Sequence, residues 1–220
     1  ANNETGALQP IREIAALVHE KGGLIHTDAI QSAGKIPLHF KDMGVDMMSL
    51  SGHKIGGPQG QGALIVREGL AIQSIQKGGG QELGRRGGTE NVAGIAGFGL
   101  AAELAVAGLE KYSGIEEQRD RMEAAILEIS PASRIYGKGA ERLPNTSCLS
   151  MPGVGAELQV MNFDLAGIAV SAGSACSSGK VKASHVLTAM GATEKEASEA
   201  IRISLGWLTK PSEIDTFIEI

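Results

Sequence analysis

Leu24-Ile25-His26-Thr27-Asp28-Ala29-Ile30-Gln31 and Asp46-Met47-Met48-Ser49-Leu50-Ser51-Gly52-His53-Lys54 decide the fold. In each, a short apolar run ends in polar side chains suited to chemistry. A glycine-rich turn, Gly56-Gly57-Pro58-Gln59-Gly60, then leads into a third run, Gly62-Ala63-Leu64-Ile65-Val66. Runs of this length bounded by glycine read as buried strands. Ahead of them, Pro10 stands where a first helical turn would start. Leu8, Ile11, Ile14, Leu17 and Val18 form a helical stripe that stops at Gly22-Gly23. A helix followed by strands that end in glycine-rich loops is the pattern of an open α/β sheet, in which ligands bind beyond the carboxyl ends of the strands.

Working outward, the pattern turns helical from Asn91 to about Ile129, with Ile115, Met122, Ile126 and Ile129 on one face and Ser130-Pro131 as the stop. A domain boundary is placed inside this helix, near residue 105. Residues 1–105 are then expected to form an α/β domain built on an open sheet. Residues 106–220 alternate short strands (Arg134 to Tyr136, Thr146 to Met151, Ile168 to Ser171, Ile201 to Ser204) with helices, which predicts a smaller α+β domain. No internal repeat, low-complexity tract or proline-rich linker interrupts this organisation.

The composition narrows the class. Of 220 residues, 42% are hydrophobic, 20% charged and only 3% aromatic, with 31 glycines, so the chain can bury a sizeable core. A net charge of -5, with neither a basic stripe nor a stacking platform, argues against nucleic acid. Two cysteines cannot build a disulfide framework, which favours a reducing compartment. No apolar run reaches membrane-spanning length and no signal peptide opens the chain, so the expectation is a soluble cytoplasmic protein. Ala1-Asn2-Asn3-Glu4-Thr5-Gly6 reads as the end of a strand or its following loop, and Ser212 to Ile220 as an amphipathic helix stopped mid-course. The chain thus reads as cut at both ends.

The pairing of Asp28 with Lys54 suits a pyridoxal phosphate (PLP) site, in which a lysine forms the Schiff base and a carboxylate holds the pyridinium nitrogen. Lys54 can also serve as the base that takes the substrate Cα proton; its competing reading is a loop lysine facing solvent. Asp28 and Gln31 are three residues apart, so a chain turning helical after Asp28 would point both side chains the same way. By position alone Asp28 is equally a helix N-cap. Ser51 and His53 flank the lysine, and Thr89 closes the glycine-rich run that begins at Gly78. Hydroxyls, an imidazole and glycine-exposed backbone N–H groups are the usual phosphate partners, although His53 also reads as a satisfied buried histidine and the glycine run as a plain loop.

Cys176 lies in Ser171-Ala172-Gly173-Ser174-Ala175-Cys176-Ser177-Ser178-Gly179, ahead of Lys180 and Lys182. A loop of small residues is expected to be mobile and accessible, and nearby cations favour thiolate; the competing reading is an inert small residue. Cys148, in the strand-like Thr146-Ser147-Cys148-Leu149-Ser150, reads as buried and structural. Gly173 to Lys180 resembles a phosphate-binding loop but has five intervening residues where four are needed, and Val181 where Ser or Thr should stand. No CxxC, HExxH or nucleophile-elbow pattern is present, which disfavours metal and hydrolase roles.

Six motifs in order then resemble one family. They are Ala-Asn-Asn-Glu-Thr-Gly at 1–6, His-Thr-Asp-Ala-Ile-Gln at 26–31, Ser-Gly-His-Lys at 51–54, Arg-Gly-Gly-Thr-Glu-Asn at 86–91, the cysteine motif at 171–179 and Ala-Ile-Arg-Ile-Ser-Leu-Gly at 200–206. Together they resemble the NifS/IscS-like cysteine desulfurases, long cysteine-loop group, within the fold-type-I PLP-dependent enzymes. The resemblance implies a partial PLP-binding large domain over 1–105 with a mixed, mostly parallel sheet, its N-terminal part missing, and a C-terminal α+β small domain carrying the cysteine loop over 106–220. It implies PLP held by Lys54, Asp28, Gln31, Asn3, Ser51, His53 and Thr89, with Thr89 reaching across a homodimer interface.

In the same reading Arg202 clamps the substrate carboxylate, a bidentate task suited to guanidinium, with Asn3 beside the substrate. Cys176, Lys54 and His53 are the candidate catalytic residues. Cys176 would attack the sulfur of a substrate-bound ketimine, giving L-alanine from L-cysteine and a persulfide for an iron–sulfur scaffold or other sulfur-acceptor protein. The resemblance also marks departures. The family's Gly-Thr phosphate turn and ring-stacking histidine, which precede the Ala-Asn-Asn-Glu-Thr-Gly motif, have no counterpart here. Trp207 stands where an arginine commonly follows Ser-x-Gly, and the final helix is incomplete. The alternatives are another PLP-dependent lyase or aminotransferase, and an inactive fragment that only dimerises or docks a scaffold protein.

Overall fold

In the computed structural model, which describes residues 1–172 and 183–220, the chain forms two units. One comprises Pro10–Leu109, the other Ala1–Gln9 with Glu110–Ile220. In the first, helix α1 (Ile11–Glu20) packs Ala15, with Ile11 and Val18, over Ile25, Ala29, Val45 and Met48, and stops before Gly22 in the left-handed region at φ 70°. Strand β1 (His26–Asp28), helix α2 (Phe40–Met43), strand β2 (Met47–Ser51) and strand β3 (Gly62–Val66) follow. The sheet order is β1-β2-β3. β1 and β2 run parallel, with Asp28 opposite Ser49, and β3 runs antiparallel to β2, with Gly62 opposite Ser51. The sheet is therefore mixed, with one parallel and one antiparallel pair among the described residues. Helix α3 (Val92–Ala107) completes the unit, its first turn capped by the Asn91 side chain, which accepts from the Gly94 N–H at 3.2 Å.

The second unit begins with helix α4 (Lys111–Ile129), followed by β4 (Arg134–Ile135), β5 (Thr146–Ser150), α5 (Ala156–Leu165), β6 (Ser171–Ala172), α6 (His185–Ala189), α7 (Glu194–Ser198), β7 (Ala200–Ser204) and α8 (Pro211–Glu219). The sheet order is β4-β5-β7-β6, and every pairing is antiparallel. One core joins Ile115, Met122 and Ile126 of α4, Leu149 of β5, Phe163 of α5, Ile201 and Ile203 of β7, and Ile214 and Phe217 of α8. Phe163 and Phe217 stack at 4.7 Å. A second cluster gathers Tyr136, Cys148, Leu187, Ala192, Ala197 and Ala200. Between helix and sheet, Arg142 makes a bidentate pair with Glu123 (2.7 and 2.9 Å), and Ser147 Oγ donates to the same carboxylate at 2.7 Å. The two side chains are nearly buried and hydrogen-bonded to each other, the condition under which buried charges are tolerated.

Two features depart from the sequence expectation. The long helix over 91–129 is two helices, broken between Ala107 and Lys111, and the two units divide at this break, between Leu109 and Glu110. Residues 1–9 belong with the carboxy-terminal unit, because their backbone pairs there. Leu8 N–H donates to Glu141 O and Leu143 N–H to Gly6 O, each at 2.8 Å, around an antiparallel bridge of Ala7 with Arg142. Gly6 makes the approach possible: its φ is 74°, and a Cβ there would lie 3.0 Å from Thr146 Cβ.

Candidate active site

Because β1 and β2 are parallel, their carboxyl ends share one edge of the sheet, and the polar residues of both motifs emerge there. Asp28 closes β1. Ser51 closes β2 and runs into a 3-10 turn, Gly52–Ile55, that presents His53 and Lys54. Asp28, His53 and Lys54 are exposed. The Lys54 ammonium makes no hydrogen bond or ion pair among the described residues. Ser51 Oγ lies 2.9 Å from His53 Nδ1, so the two are oriented as a pair, and His26 Nε2 lies 2.7 Å from Ser49 Oγ. Asp28 Oδ1 accepts the Ile30 N–H at 2.8 Å, which leaves Oδ2 open. This is a local turn, not a helix cap: turns occupy 30–35, held by Ser32 N–H and Ala33 N–H on Ala29 O at 3.0 Å each, and no helix forms before α2. Gln31 is half-buried, and no helix aligns it with Asp28.

The lysine turn is shaped by helix α3. Its residues Gly94, Gly97, Ala101 and Ala105 recur at helical spacing and form a stripe of small side chains. A Cβ at Gly97 would lie 2.7 Å from Pro58 Cγ, and Ala101 Cβ lies 3.1 Å from where Gly57 would carry one. Backbone therefore meets helix almost without side chains between them. The turn closes on itself through Gly52 N–H to Gln61 O (2.8 Å) and Gly57 N–H to Gly52 O (2.9 Å). Thr89 is exposed, and its side chain makes no hydrogen bond among the described residues. The loop before it is pinned by Gly87 N–H to Gln76 O at 2.7 Å.

The other unit carries the remaining candidates. Arg202, on β7, is half-buried; its Nη1 donates to Asn3 O at 2.9 Å and its Nη2 to Ser171 Oγ at 3.4 Å. Arg202 Nε is buried and has no hydrogen-bond partner among the described residues. A buried guanidinium with an unused donor is suited to an anionic ligand. Asn3 lends its carbonyl to this arginine, and its side chain makes no hydrogen bond among the described residues. Cys148 is buried on β5, and its thiol is pushed up to about 12, by burial first and then by the Glu4 carboxylate, with Arg202 opposing. It is structural and unreactive. Cys176, with the rest of 173–182, lies outside the described residues.

Asn2, Glu4 and Ser184 escaped the sequence reading. Asn2 Oδ1 accepts the N–H groups of Glu4 and Thr5 at 2.9 Å each. Ser184 Oγ donates to the buried Glu4 carboxylate at 2.5 Å and caps α6 through the Leu187 N–H at 3.2 Å. A serine ahead of an apolar helix is a readable cap, but nothing in sequence links it to Glu4.

Comparison with known proteins adds an independent line. A family model described as aminotransferase class-V matches residues 1–217. A cysteine desulfurase of Cereibacter sphaeroides is 46% identical over 220 residues, which are 100% of this chain and 56% of that protein. The crystal structure of a NifS-like protein from Rickettsia africae ESF-5 superposes with a TM-score of 0.88 at 41% identity, covering 100% of this chain and 58% of that one. SspA in complex with cysteine superposes with a TM-score of 0.71 at 36% identity, covering 93% of this chain and 56% of that one. The chain spans about half the length of the curated relatives it matches.

Proposed function

The chain belongs to the aminotransferase class-V family, and from that premise we propose that the protein is a pyridoxal 5'-phosphate-dependent cysteine desulfurase. It would convert L-cysteine to L-alanine and leave the sulfur as a persulfide on Cys176. The observation that carries this reading is the shared edge of β1 and β2, where an open Asp28 carboxylate and an unpaired Lys54 amine emerge from adjacent parallel strands. Relatives named cysteine desulfurase and a structural neighbour in complex with cysteine support the substrate.

The residues present fit the cofactor. The donor set at this edge combines a primary amine, a carboxylate with one free oxygen, a hydroxyl–imidazole pair and glycine backbone, which are the groups that an aldehyde, a pyridine nitrogen and a phosphate require. Bound there, the cofactor supplies an electron sink for the bonds broken at the substrate's Cα and Cβ. Lys54 Nζ would hold it, and would take and return the proton at the substrate Cα. The Asp28 carboxylate would keep a proton on the ring nitrogen, and Ser51, His53 and Thr89 would hold the phosphate. Gln31 and Asn3 serve the ring hydroxyl and the substrate. Arg202, with its unused Nε, holds the substrate carboxylate.

Cys176 thiolate attacks the substrate sulfur. The new S–S bond forms from the thiolate's electron pair, the Cβ–S bond breaks with its pair left on carbon, and Cβ takes up a proton. Two sulfurs are each oxidised by one electron as Cβ is reduced by two, so L-cysteine plus thiol gives L-alanine plus persulfide with no outside oxidant. The persulfide then passes to an iron–sulfur scaffold or other acceptor protein, in a cytoplasmic homodimer.

The test is to incubate the purified protein with the cofactor and L-cysteine, beside Lys54→Ala. The expected result is a visible absorption band, and equal amounts of L-alanine and protein persulfide, all absent from Lys54→Ala. Sulfide and pyruvate in place of alanine and persulfide would make the protein a lyase. A band that survives in Lys54→Ala would remove the lysine assignment.

A further inference from the structure

Asn2 is the hub of the turn that reaches Arg202. Its Oδ1 accepts the N–H groups of Glu4 and Thr5 at 2.9 Å each and the Thr5 hydroxyl at 3.2 Å. Its backbone closes the same turn: Asn2 N–H donates to Ala7 O at 2.8 Å, and Gly6 N–H donates to Asn2 O at 3.0 Å. Glu4 and Thr5 are 2% and 1% exposed, so their N–H groups depend on this side chain for a partner. From the turn, Asn3 O accepts from Arg202 Nη1 at 2.9 Å. All of these residues lie within one unit.

Docking of the amino-terminal stretch does not explain this use of Asn2. Backbone groups already hold the stretch on 141–143, through Leu8 N–H to Glu141 O and Leu143 N–H to Gly6 O, at 2.8 Å each. What the Asn2 side chain adds is the course of residues 2–5, and with it the place of Asn3 O. Arg202 needs that place fixed. Its contact from Nη2 to Ser171 Oγ is long at 3.4 Å, and its Nε is buried with no hydrogen-bond partner among the described residues. The Asn3 carbonyl is therefore the short contact that sets how the guanidinium plane is turned. A guanidinium takes a carboxylate through two parallel N–H groups in a fixed fork, so the orientation of that plane decides whether both bonds form.

We propose that Asn2 is a positioning residue for recognition of the substrate carboxylate: its side chain locks the turn whose Asn3 carbonyl orients Arg202. The inference rests on the desulfurase reading, in which Arg202 receives the carboxylate of L-cysteine. Asn2 acts through Arg202 and not on the substrate. Because the carboxylate is not altered in sulfur transfer, Asn2 serves binding and leaves the chemical step alone.

The test compares Asn2→Ala with the wild type, with Arg202→Lys as reference, in the cofactor-loaded protein. Two ligands are titrated against the visible band: L-alanine, which carries the carboxylate, and ethylamine, the same amine without it. In Asn2→Ala the Kd for L-alanine is expected to rise about tenfold, the effect of one bond to a charged group. The Kd for ethylamine and the kcat for L-cysteine should stay unchanged. A purely structural role would move both ligands together. Asn2→Asp keeps an acceptor at the same place, since both residues make this kind of turn, and should restore the wild-type preference. The cofactor-free protein gives a second readout by nuclear magnetic resonance. The Arg202 Nε–H signal, assigned by its loss in Arg202→Lys, should exchange with solvent faster in Asn2→Ala.

Should Asn2→Ala not fold, Asn2→Ser, whose hydroxyl makes such turns more weakly, should shift the L-alanine Kd in the same direction by a smaller factor. An unchanged preference for L-alanine over ethylamine in Asn2→Ala, with that preference lost in Arg202→Lys, overturns the proposal alone. A wild-type protein without the preference, or a preference that survives Arg202→Lys, removes Arg202 from the carboxylate, and the inference falls with that reading. If the protein holds no cofactor, the Nε–H exchange decides, and equal rates in the wild type and Asn2→Ala overturn the proposal.

Discussion

Asp46 shows how a single buried carboxylate organises the Pro10–Leu109 unit. Its Oδ2 accepts from His19 Nε2 and from the Ile25 N–H, each at 2.9 Å, and its Oδ1 accepts from Arg67 Nε at 2.7 Å. One side chain thus joins α1, the entry to β1 and the exit of β3. The hydrogen bonds from His19, then Ile25 and Arg67, hold its carboxyl far below the usual range. A carboxyl whose pKa is lowered by folding adds stability that is fully present above its unfolded value of 3.8 and is lost as pH falls toward the folded value. Urea midpoints measured from neutral pH down to pH 3 should therefore fall steeply below about pH 4 in the wild type. Asp46→Asn should be less stable at neutral pH and show a flatter profile. Parallel profiles for the two would mean that other carboxyls control the acid response.

At the scale of elements, α3 is the most exposed to test. Its small-residue stripe faces the lysine turn, while Val92, Leu100, Leu104 and Val106 remain 58% to 72% exposed. A helix apolar on nearly all sides is one that larger structures bury. The stripe makes a sharp prediction. Gly97→Val places a branched side chain where even a Cβ would lie 2.7 Å from Pro58 Cγ. Overpacking of this kind costs about 1–3 kcal/mol, and here the strain falls on the turn that presents Lys54. The variant should lower the thermal midpoint and weaken cofactor retention, read as the visible band surviving gel filtration. Gly99→Ala, on the open side of the same helix, should do neither.

How much of this was legible follows from what is local. The apolar run at 62–66 became β3 end to end, because its glycine boundaries and period are set by neighbours in sequence. The strand at 168–171 instead formed at Ser171–Ala172, where pairing with β7 decides its position. The break after Ala107 was hidden, since one glycine in a helical pattern costs only about 1 kcal/mol and composition alone rarely marks it. The docking of residues 1–9 on 141–143 and the Glu4–Ser184 bond were beyond reach, because both join residues far apart in the chain. Lys54 and Asp28 stood out in their own motifs and Arg202 only through the family resemblance; the hydrogen-bond partners of Asp28 and Arg202 were not legible.

At the scale of the whole molecule, the residues proposed for the chemistry are divided between units. Lys54, Asp28, Ser51 and His53 stand on the Pro10–Leu109 unit, while Asn3 and Arg202 belong to the other, which has its own sheet and core. Cofactor capture and sulfur transfer should therefore be separable by substitution. The chain has two cysteines, and Cys148 cannot stand in for Cys176. It is 3% exposed, and its thiol is pushed up to about 12, so almost none is thiolate near neutral pH. Cys176→Ala should then keep the Lys54-dependent visible band, yet lose persulfide and alanine formation from L-cysteine by about two orders of magnitude or more, because no other nucleophile accepts the sulfur. Retained alanine production in Cys176→Ala would move the protein to a different reaction of the same cofactor. Loss of the band with the activity would mean that the two units do not divide the work as their residues suggest.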